Sequence, residues 1–144
     1  MPEEEIEPIR WEDDRLLLLD QTILPDRQEW LAIDTVEAAI EAIREMRVRG
    51  APAIGVAAAY AMVIAARSVE APTMSTWLTL LDPISARIAA ARPTAVNLGW
   101  AVQRSVEVAR SASSPSEAHK RLLALAHKTK ADDIATNRKI GRNG

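Results

Sequence analysis

The stretch from residue 52 to residue 67, which reads PAIGVAAAYAMVIAAR, constrains the fold more than any other part of the chain. It suits a helix, with a proline in the first turn, and it carries no charge until Arg67. A helix that is apolar on every face must be buried on all sides or must pack in a subunit interface. Because Arg67 closes it, the stretch is shorter than the roughly 18 residues of a membrane span.

The composition indicates what surrounds such a helix. The 144 residues suit one domain, and the 48% of apolar residues are enough for a core at this length. Aromatic residues make up only 3% of the chain. The core must therefore consist of Ala, Leu, Ile and Val, which favours helices packed closely together.

A β-hairpin is predicted near the start of the chain. Residues 6–24 alternate in hydropathy and carry branched residues, and Glu12, Asp13 and Asp14 stand between the two runs as turn formers. Pro25 is expected to end the hairpin.

Helical periodicity predicts about five helices after the hairpin. Besides the apolar helix, they run over residues 34–50, 74–91, 94–112 and 115–140. Pro83 is expected to break or kink the 74–91 helix, because a proline in mid-helix costs about 3 kcal/mol. The predicted fold class is α+β, mainly α: a short N-terminal hairpin followed by a helical bundle.

Residues that start or stop helices mark the predicted boundaries. Asp34, with Glu37 three residues later in the spacing of a capping box, is expected to cap the first helix. Gly50 is expected to end that helix and Gly141 to end the last one. Thr94 is a possible cap for the fourth helix.

Several kinds of chemistry are excluded or disfavoured. Without cysteine, these residues hold no disulfide, zinc–thiolate site or cysteine nucleophile. His119 and His127 have no other His or Cys nearby, so no metal site is predicted and both are expected on helix surfaces. Asp132 and Asp133 are expected to face solvent. No cofactor is predicted.

The charge distribution bears on location and partners. A net charge of -2 gives no general attraction to nucleic acid or to an anionic membrane. A helix–turn–helix over residues 35–67 fails as well, since its second helix is too apolar for a DNA groove. The acidic first residues have the wrong sign for a signal peptide, so we expect a cytoplasmic protein. Trp30, Trp77 and Trp100 are expected to be core or interface anchors.

The segment from Arg47 to Gly55 is the first candidate site. One helix is predicted to end at Gly50 and the next to begin at once, which leaves backbone N–H groups free beside Arg49. Helix N-termini attract anions, and an arginine adds a two-pronged grip on phosphate. Gly50 and Gly55 leave room for a ligand or for another helix. The alternative is a tight corner between helices with solvent-facing arginines.

The segment from Ala91 to Leu98 repeats this arrangement, with Arg92 and a proline just before a helix start. Two arginine-bearing helix starts in one small domain would form a clamp for a phosphate. The structural alternatives are that Thr94 is a plain cap, that Asn97 is a first-turn polar residue and that Arg92 is a surface charge.

Both segments resemble a known family. RGAPAIGVAAAY at residues 49–60 and ARPTAVNL at residues 91–98 are similar to signatures of the methylthioribose-1-phosphate isomerases. That superfamily is shared with regulatory subunits of translation initiation factor 2B and with ribose-1,5-bisphosphate isomerase. The resemblance continues, in order along the chain, through IRW at 9–11, LLDQ at 18–21, LP at 24–25, WA at 100–101 and NRKIG at 137–141.

The resemblance implies an aldose–ketose isomerisation in methionine salvage, from 5-methylthioribose 1-phosphate to the ribulose 1-phosphate, by an enzyme that is a homodimer. It implies that Arg49 and Arg92, with backbone groups of Gly50 and Ala51, grip the substrate phosphate. The chain departs from the usual pattern at Ala61, Gly99 and Asn143, all of which are peripheral to that grip.

One departure concerns catalysis. In the family, a catalytic Cys and a catalytic Asp come later in a larger Rossmann-like domain, and neither is in this chain. Residues 1–144 are therefore expected to be an N-terminal domain that works with a C-terminal catalytic domain and is inactive alone. The alternative is a non-catalytic helical interaction module of the initiation-factor type, whose apolar helix packs on a partner.

Overall fold

A computed structural model describes residues 9–19, 30–45, 51–92 and 95–143, with side chains for 9–18, 30–45, 53–92 and 95–132. Within these ranges three strands come first and five helices follow, so the predicted α+β, mainly α class is confirmed. The elements are β1 (Ile9–Glu12), β2 (Arg15–Leu19), β3 (Trp30–Ile33), α1 (Val36–Arg44), α2 (Ala51–Ser68), α3 (Met74–Ala89), α4 (Val96–Arg110) and α5 (Pro115–Asn143).

The predicted hairpin is present, and its turn consists of Asp13 and Asp14 alone. Both have positive φ angles, 56° and 59°, as a two-residue turn of the hairpin-forming type requires. Glu12 is the last residue of β1 and lies opposite Arg15 rather than in the turn. Pro25 lies outside the described residues.

The sequence prediction missed β3. This strand pairs antiparallel with β2, with Leu16 opposite Ile33, and completes a three-stranded sheet in the order β1-β2-β3. The strand has only four residues and comes two residues before α1, so its local pattern is short. Pairing with β2 stabilises it, and that contact is not visible in a local pattern.

One face of the sheet packs toward the helices. Ile9, Leu16, Leu18 and Ile33 are buried on this face. Trp11 shares the face and stacks on Tyr60 of α2, with ring centroids 5.2 Å apart and planes 12° apart. The sheet is thereby joined to the helical core.

The apolar helix α2 is the centre of the domain. Every residue from Ile54 to Ala66 is buried. The other four helices and β1 all pack against it. The prediction of burial on all sides is therefore confirmed, and elements of the same chain provide the burial.

The first helix has different ends from those predicted. Thr35 is the N-cap of α1, because its Oγ1 accepts a hydrogen bond from the Ala38 backbone N–H at 3.1 Å. The expected Asp34 cap is therefore wrong by one residue. The helix ends at Arg44 with Glu45 as C-cap, so Gly50 does not end it.

Neither Pro83 nor Gly141 interrupts its helix, so the expected break at Pro83 and the expected end at Gly141 are wrong. Pro83 lies inside α3, which is one continuous helix from Met74 to Ala89. Pro83 removes the N–H partner of the Thr79 carbonyl, and both residues lie on the exposed face, where water can hydrate that carbonyl. Gly141 likewise lies inside α5, which continues to Asn143.

Candidate functional site

The starts of α2 and α4 lie against each other. A Cβ atom placed on Gly55 would be 3.7 Å from the carbonyl oxygen of Asn97 and 3.8 Å from its Cβ. Gly55 is four residues into α2 and Asn97 is one residue into α4. Since one helical turn rises about 5.4 Å, the two N-termini share one end of the bundle. The room left by Gly55 is therefore filled by another helix. The sequence analysis predicted either a ligand or a helix there.

Among the described residues, backbone hydrogen bonds hold the start of α4. Its N-cap is Ala95, which makes no side-chain capping hydrogen bond, while its carbonyl accepts from the N–H groups of Leu98 and Gly99. The predicted cap, Thr94, is not the N-cap and lies outside the described residues. Because Ala95 has no polar side chain, it cannot satisfy the first N–H groups of α4.

Arg92 lies three residues before Ala95, the N-cap of α4. Its carbonyl oxygen accepts a hydrogen bond from the Ala95 N–H at 2.9 Å, which closes a tight turn between α3 and α4. The residue is half-buried. This turn keeps Arg92 within one turn of the α4 N-terminus.

The structure places two of the four predicted site residues. Ala51 is the first residue of α2, and Arg92 precedes α4 at the same end of the bundle. Arg49 and Gly50 lie outside the described residues. Two of the predicted positions, one from each segment, are therefore brought to one end of the molecule by the contact between Gly55 and Asn97.

The residues at this end of the bundle are of kinds that suit an anion. Backbone N–H groups at two helix starts carry partial positive charge, and a guanidinium offers paired donors to a phosphate. Neither group exchanges protons near neutral pH, since arginine stays protonated and an amide N–H is a donor only. Groups of these kinds bind anions, whereas proton transfer would need other groups.

A second group of arginines lies at the opposite end of α2. A cavity of about 400 Å³ is lined there by Thr35, Glu37, Arg67 and Arg87, among others. Arg87 donates to the Glu37 carboxylate at 2.6 Å and thereby holds the pKa of Glu37 below its ordinary value. Arg67 donates to the Asp14 carbonyl at 2.6 Å. Both guanidinium groups already have partners, so this cavity is the weaker candidate.

The two histidines lie in different environments. His127 is exposed, as expected, but its Nδ1 is 2.7 Å from the hydroxyl of Tyr60, which joins α5 to the buried α2. His119 is half-buried, and its Nε2 has no hydrogen-bond partner within the described structure. Asp132 is exposed, as expected, and pairs with Lys128 at 3.1 Å.

The three tryptophans singled out by the sequence have different environments. Trp77 is fully buried in the core, at 1% exposure. Trp30 is half-buried beneath the guanidinium of Arg10, which lies 4.6 Å from its ring centroid. Trp100 is 58% exposed, so it is not a core anchor.

Metal-binding clusters and membrane-spanning helices are both absent from the described part of the chain. Within the described ranges, no three His, Asp or Glu side chains come together in a way that could hold a metal ion. None of the helices in those ranges combines the length and the apolar character that a membrane span requires.

The chain is similar to several known proteins. A model of the initiation factor 2 subunit family matches residues 47–144. A methylthioribose-1-phosphate isomerase of Thioalkalivibrio sulfidiphilus is 47% identical over 139 residues, which cover 96% of this chain and 39% of the relative. A 5-deoxyribose 1-phosphate isomerase of Bacillus anthracis is 40% identical over 143 residues, covering 98% of this chain and 41% of the relative. The chain thus spans about two fifths of the curated relatives it matches.

Two solved structures share the fold. The crystal structure of translation initiation factor eIF-2B, subunit delta, from A. fulgidus aligns with a TM-score of 0.84 and 35% identity, over 90% of this chain and 38% of that one. The crystal structure of 5-methylthioribose 1-phosphate isomerase from Pyrococcus horikoshii aligns with a TM-score of 0.79 and 30% identity, over 85% of this chain and 35% of that one.

Proposed function

Since this chain belongs to the initiation factor 2 subunit family, we propose that it is the N-terminal, phosphate-contacting domain of a methylthioribose-1-phosphate isomerase. Its relatives named for that activity are 39–47% identical over nearly the whole chain. The substrate in this proposal is 5-methylthioribose 1-phosphate and the product is the ribulose 1-phosphate.

The observation that carries the proposal is the meeting of the α2 and α4 starts. Gly55 lets Asn97 approach, so the segment after residue 50 and the segment after Arg92 share one end of the bundle. A sugar phosphate at this end would meet backbone N–H groups from two helices together with a guanidinium. In the proposal, Arg49, Gly50 and Ala51 contribute from the α2 side and Arg92 from the α4 side.

The proposed domain binds but does not catalyse. An aldose phosphorylated at its anomeric carbon cannot open to a free aldehyde, so the enzyme must hold the phosphate and shield the reacting carbons. Because the phosphate-binding groups named here do not transfer protons, the proton transfers of isomerisation fall to residues outside this set. We assign them to the Rossmann-like C-terminal domain expected from the resemblance, within a homodimer in the cytoplasm.

The test uses a fusion of this chain with the part of the T. sulfidiphilus isomerase that lies beyond its match. Arg92→Ala should weaken substrate binding by roughly tenfold to a hundredfold, because a charge-assisted hydrogen bond contributes about 1.5–3 kcal/mol. Isothermal titration and steady-state kinetics would measure the effect. The matched control is Arg110→Ala at the other end of α4, which removes only a 3.6 Å pair with the exposed Asp82.

Two results would contradict the proposal. Equal binding by the Arg92→Ala fusion and the Arg110→Ala control would remove Arg92 from the site. Turnover of the substrate by the 144-residue chain alone would contradict the assignment of catalysis to another domain.

A second candidate function is a non-catalytic interaction module of the initiation-factor type. The observation that favours it is the TM-score of 0.84 with a structure described as subunit delta of an initiation factor. This function predicts stable complexes with translation factors and no response to Arg92→Ala. Affinity measurements against purified translation initiation factor 2B subunits distinguish the two candidates.

A further inference from the structure

The cavity of about 400 Å³ at the C-terminal end of α2 has the size of a small-molecule site. It lies between the start of α1, the end of α2 and the second half of α3. Small-molecule pockets have volumes of about 300–1,000 Å³. Since α2 has 18 residues, the cavity lies on the order of 25 Å from the proposed phosphate site at the other end of that helix. The two places are therefore separate.

Part of the cavity lining is apolar. Val36 of α1, Ile64 of α2 and Ile84 of α3 all line the cavity. Val36 and Ile64 are buried and Ile84 is half-buried, so these side chains form its floor. A ligand with an aliphatic group gains free energy by packing that group on such a floor, because apolar surface is removed from water.

Four charged residues also line the cavity, and only two of them compensate each other. Arg87 and Glu37 form an ion pair at 2.6 Å. Asp34 and Arg67 are both exposed, and neither forms an ion pair with the other or with any further residue that the structure describes. The cavity therefore presents one uncompensated negative charge and one uncompensated positive charge.

The positive charge is held in position by neutral groups. Arg67 donates from Nη1 to the Asp14 carbonyl at 2.6 Å, and its guanidinium carbon lies 5.9 Å from the ring centroid of Trp11. These contacts orient the guanidinium and leave its charge uncompensated. A guanidinium has five N–H donors, and this hydrogen bond uses one of them. The remaining donors suit a carboxylate, which a guanidinium binds with two parallel hydrogen bonds.

We propose that this cavity binds a free α-amino acid with an aliphatic side chain. The ligand carboxylate pairs with Arg67 and the ligand ammonium pairs with Asp34. The ligand side chain packs on the floor formed by Val36, Ile64 and Ile84. A zwitterion compensates both charges at once, whereas an anion would leave Asp34 unpaired and a cation would leave Arg67 unpaired. The proposed isomerase function neither requires this site nor depends on it.

The test compares L-leucine with two probes that each lack one of its charges. Isocaproate keeps the branched carbon skeleton without the ammonium, and isopentylamine keeps it without the carboxylate. Each probe is titrated into the 144-residue chain, and binding is followed in amide NMR spectra. Leucine should bind about threefold to tenfold more tightly than either control. The amide resonances of Thr35 and Ser68, which line the cavity, should shift, and that of Gly99 in α4 should not.

Asp34→Asn is the decisive variant, because Asp34 is not the cap of α1 and its replacement should leave the melting temperature unchanged. It should weaken leucine binding about threefold to tenfold and should not weaken isocaproate binding. Arg67→Gln should weaken the binding of both probes. The matched control is Asp82→Asn, which removes an exposed carboxylate of α3 outside the cavity and should change neither affinity.

Three results would overturn the proposal. If leucine binds no more tightly than isocaproate or isopentylamine, the cavity does not recognise a zwitterion. If leucine shifts Gly99 and leaves Thr35 and Ser68 unchanged, the ligand binds elsewhere. Equal leucine affinities of Asp34→Asn and Asp82→Asn would remove the ammonium contact. The substrate-binding assay on Arg92→Ala concerns the other end of α2, so failure of the proposed function is recognised separately.

Discussion

Replacing Gly55 by leucine should destabilise the domain relative to the same replacement at Gly99. Both glycines lie in the first turns of a helix, Gly55 in α2 and Gly99 in α4. A Cβ on Gly55 already makes van der Waals contact with Asn97, while a Cβ on Gly99 has no atom of the described residues within 4 Å. The pair therefore separates the packing of the two helices from the helix propensity of the new residue.

The magnitude follows from two opposing effects. Glycine costs about 1 kcal/mol relative to a good helix former, so Gly99→Leu should raise the free energy of unfolding by about that amount. Gly55→Leu gains the same propensity, but its γ and δ carbons would occupy the space of Asn97. Such overpacking costs about 1–3 kcal/mol. The free energies of unfolding of the two variants should therefore differ by about 1–3 kcal/mol.

Urea denaturation followed by far-UV circular dichroism measures this difference, with an unchanged slope as the sign of a two-state transition. Gly55→Ala is the matched control and should be as stable as Gly99→Leu, since 3.7 Å is an ordinary contact for a methyl group. If Gly55→Leu and Gly99→Leu are equally stable, α2 and α4 do not meet at Asn97. The joint phosphate site would then lose its structural basis.

Two further predictions concern helix caps. Two hydrogen bonds from Ser113, through its side chain and its backbone, and an ion pair with Arg121 lower the pKa of Glu117 from 4.5 to about 2. Because the folded pKa is the lower one, Glu117 stabilises the fold above about pH 4.5, and this contribution disappears as the pH falls toward 2. The stability difference between the unsubstituted chain and Glu117→Gln should therefore shrink between about pH 7 and about pH 3 in chemical denaturation; a constant difference would contradict this reasoning. At α1, Thr35→Val should cost about 1 kcal/mol through loss of the cap, whereas Asp34→Ala should cost little; the reverse order in thermal melts would restore Asp34 as the cap.

The elements of the fold were predictable where a local pattern was strong. The run of apolar residues in α2 predicts a helix that is buried within the domain or in a subunit interface, and the two aspartates have side chains suited to a hairpin turn. Strand β3 was missed because four residues carry little periodicity and their pairing with β2 is remote in sequence. Thr35 and Asp34 are adjacent and both are residue types that cap helices, so only the backbone geometry decides between them.

The candidate site was predictable in composition but not in arrangement. Arginines beside helix starts can be recognised along the chain, because the unpaired N–H groups of a helix start are a local property. No local pattern indicates that Trp100 is exposed, because a tryptophan in a helix can lie in the core or on the surface with the same neighbours in sequence. Its exposure follows from which side of α4 packs on α2.

The sequence by itself determined that five segments are helical and that the α2 segment is apolar on every face, because both depend on neighbours within one or two turns. Only the tertiary structure decided that the starts of α2 and α4 meet, through Gly55 and Asn97, which are 42 residues apart in the sequence. It also decided that Val96 and Trp100 remain uncovered beside them. Contacts between distant segments depend on how all the helices fill the space around α2 together, and no local pattern contains that information.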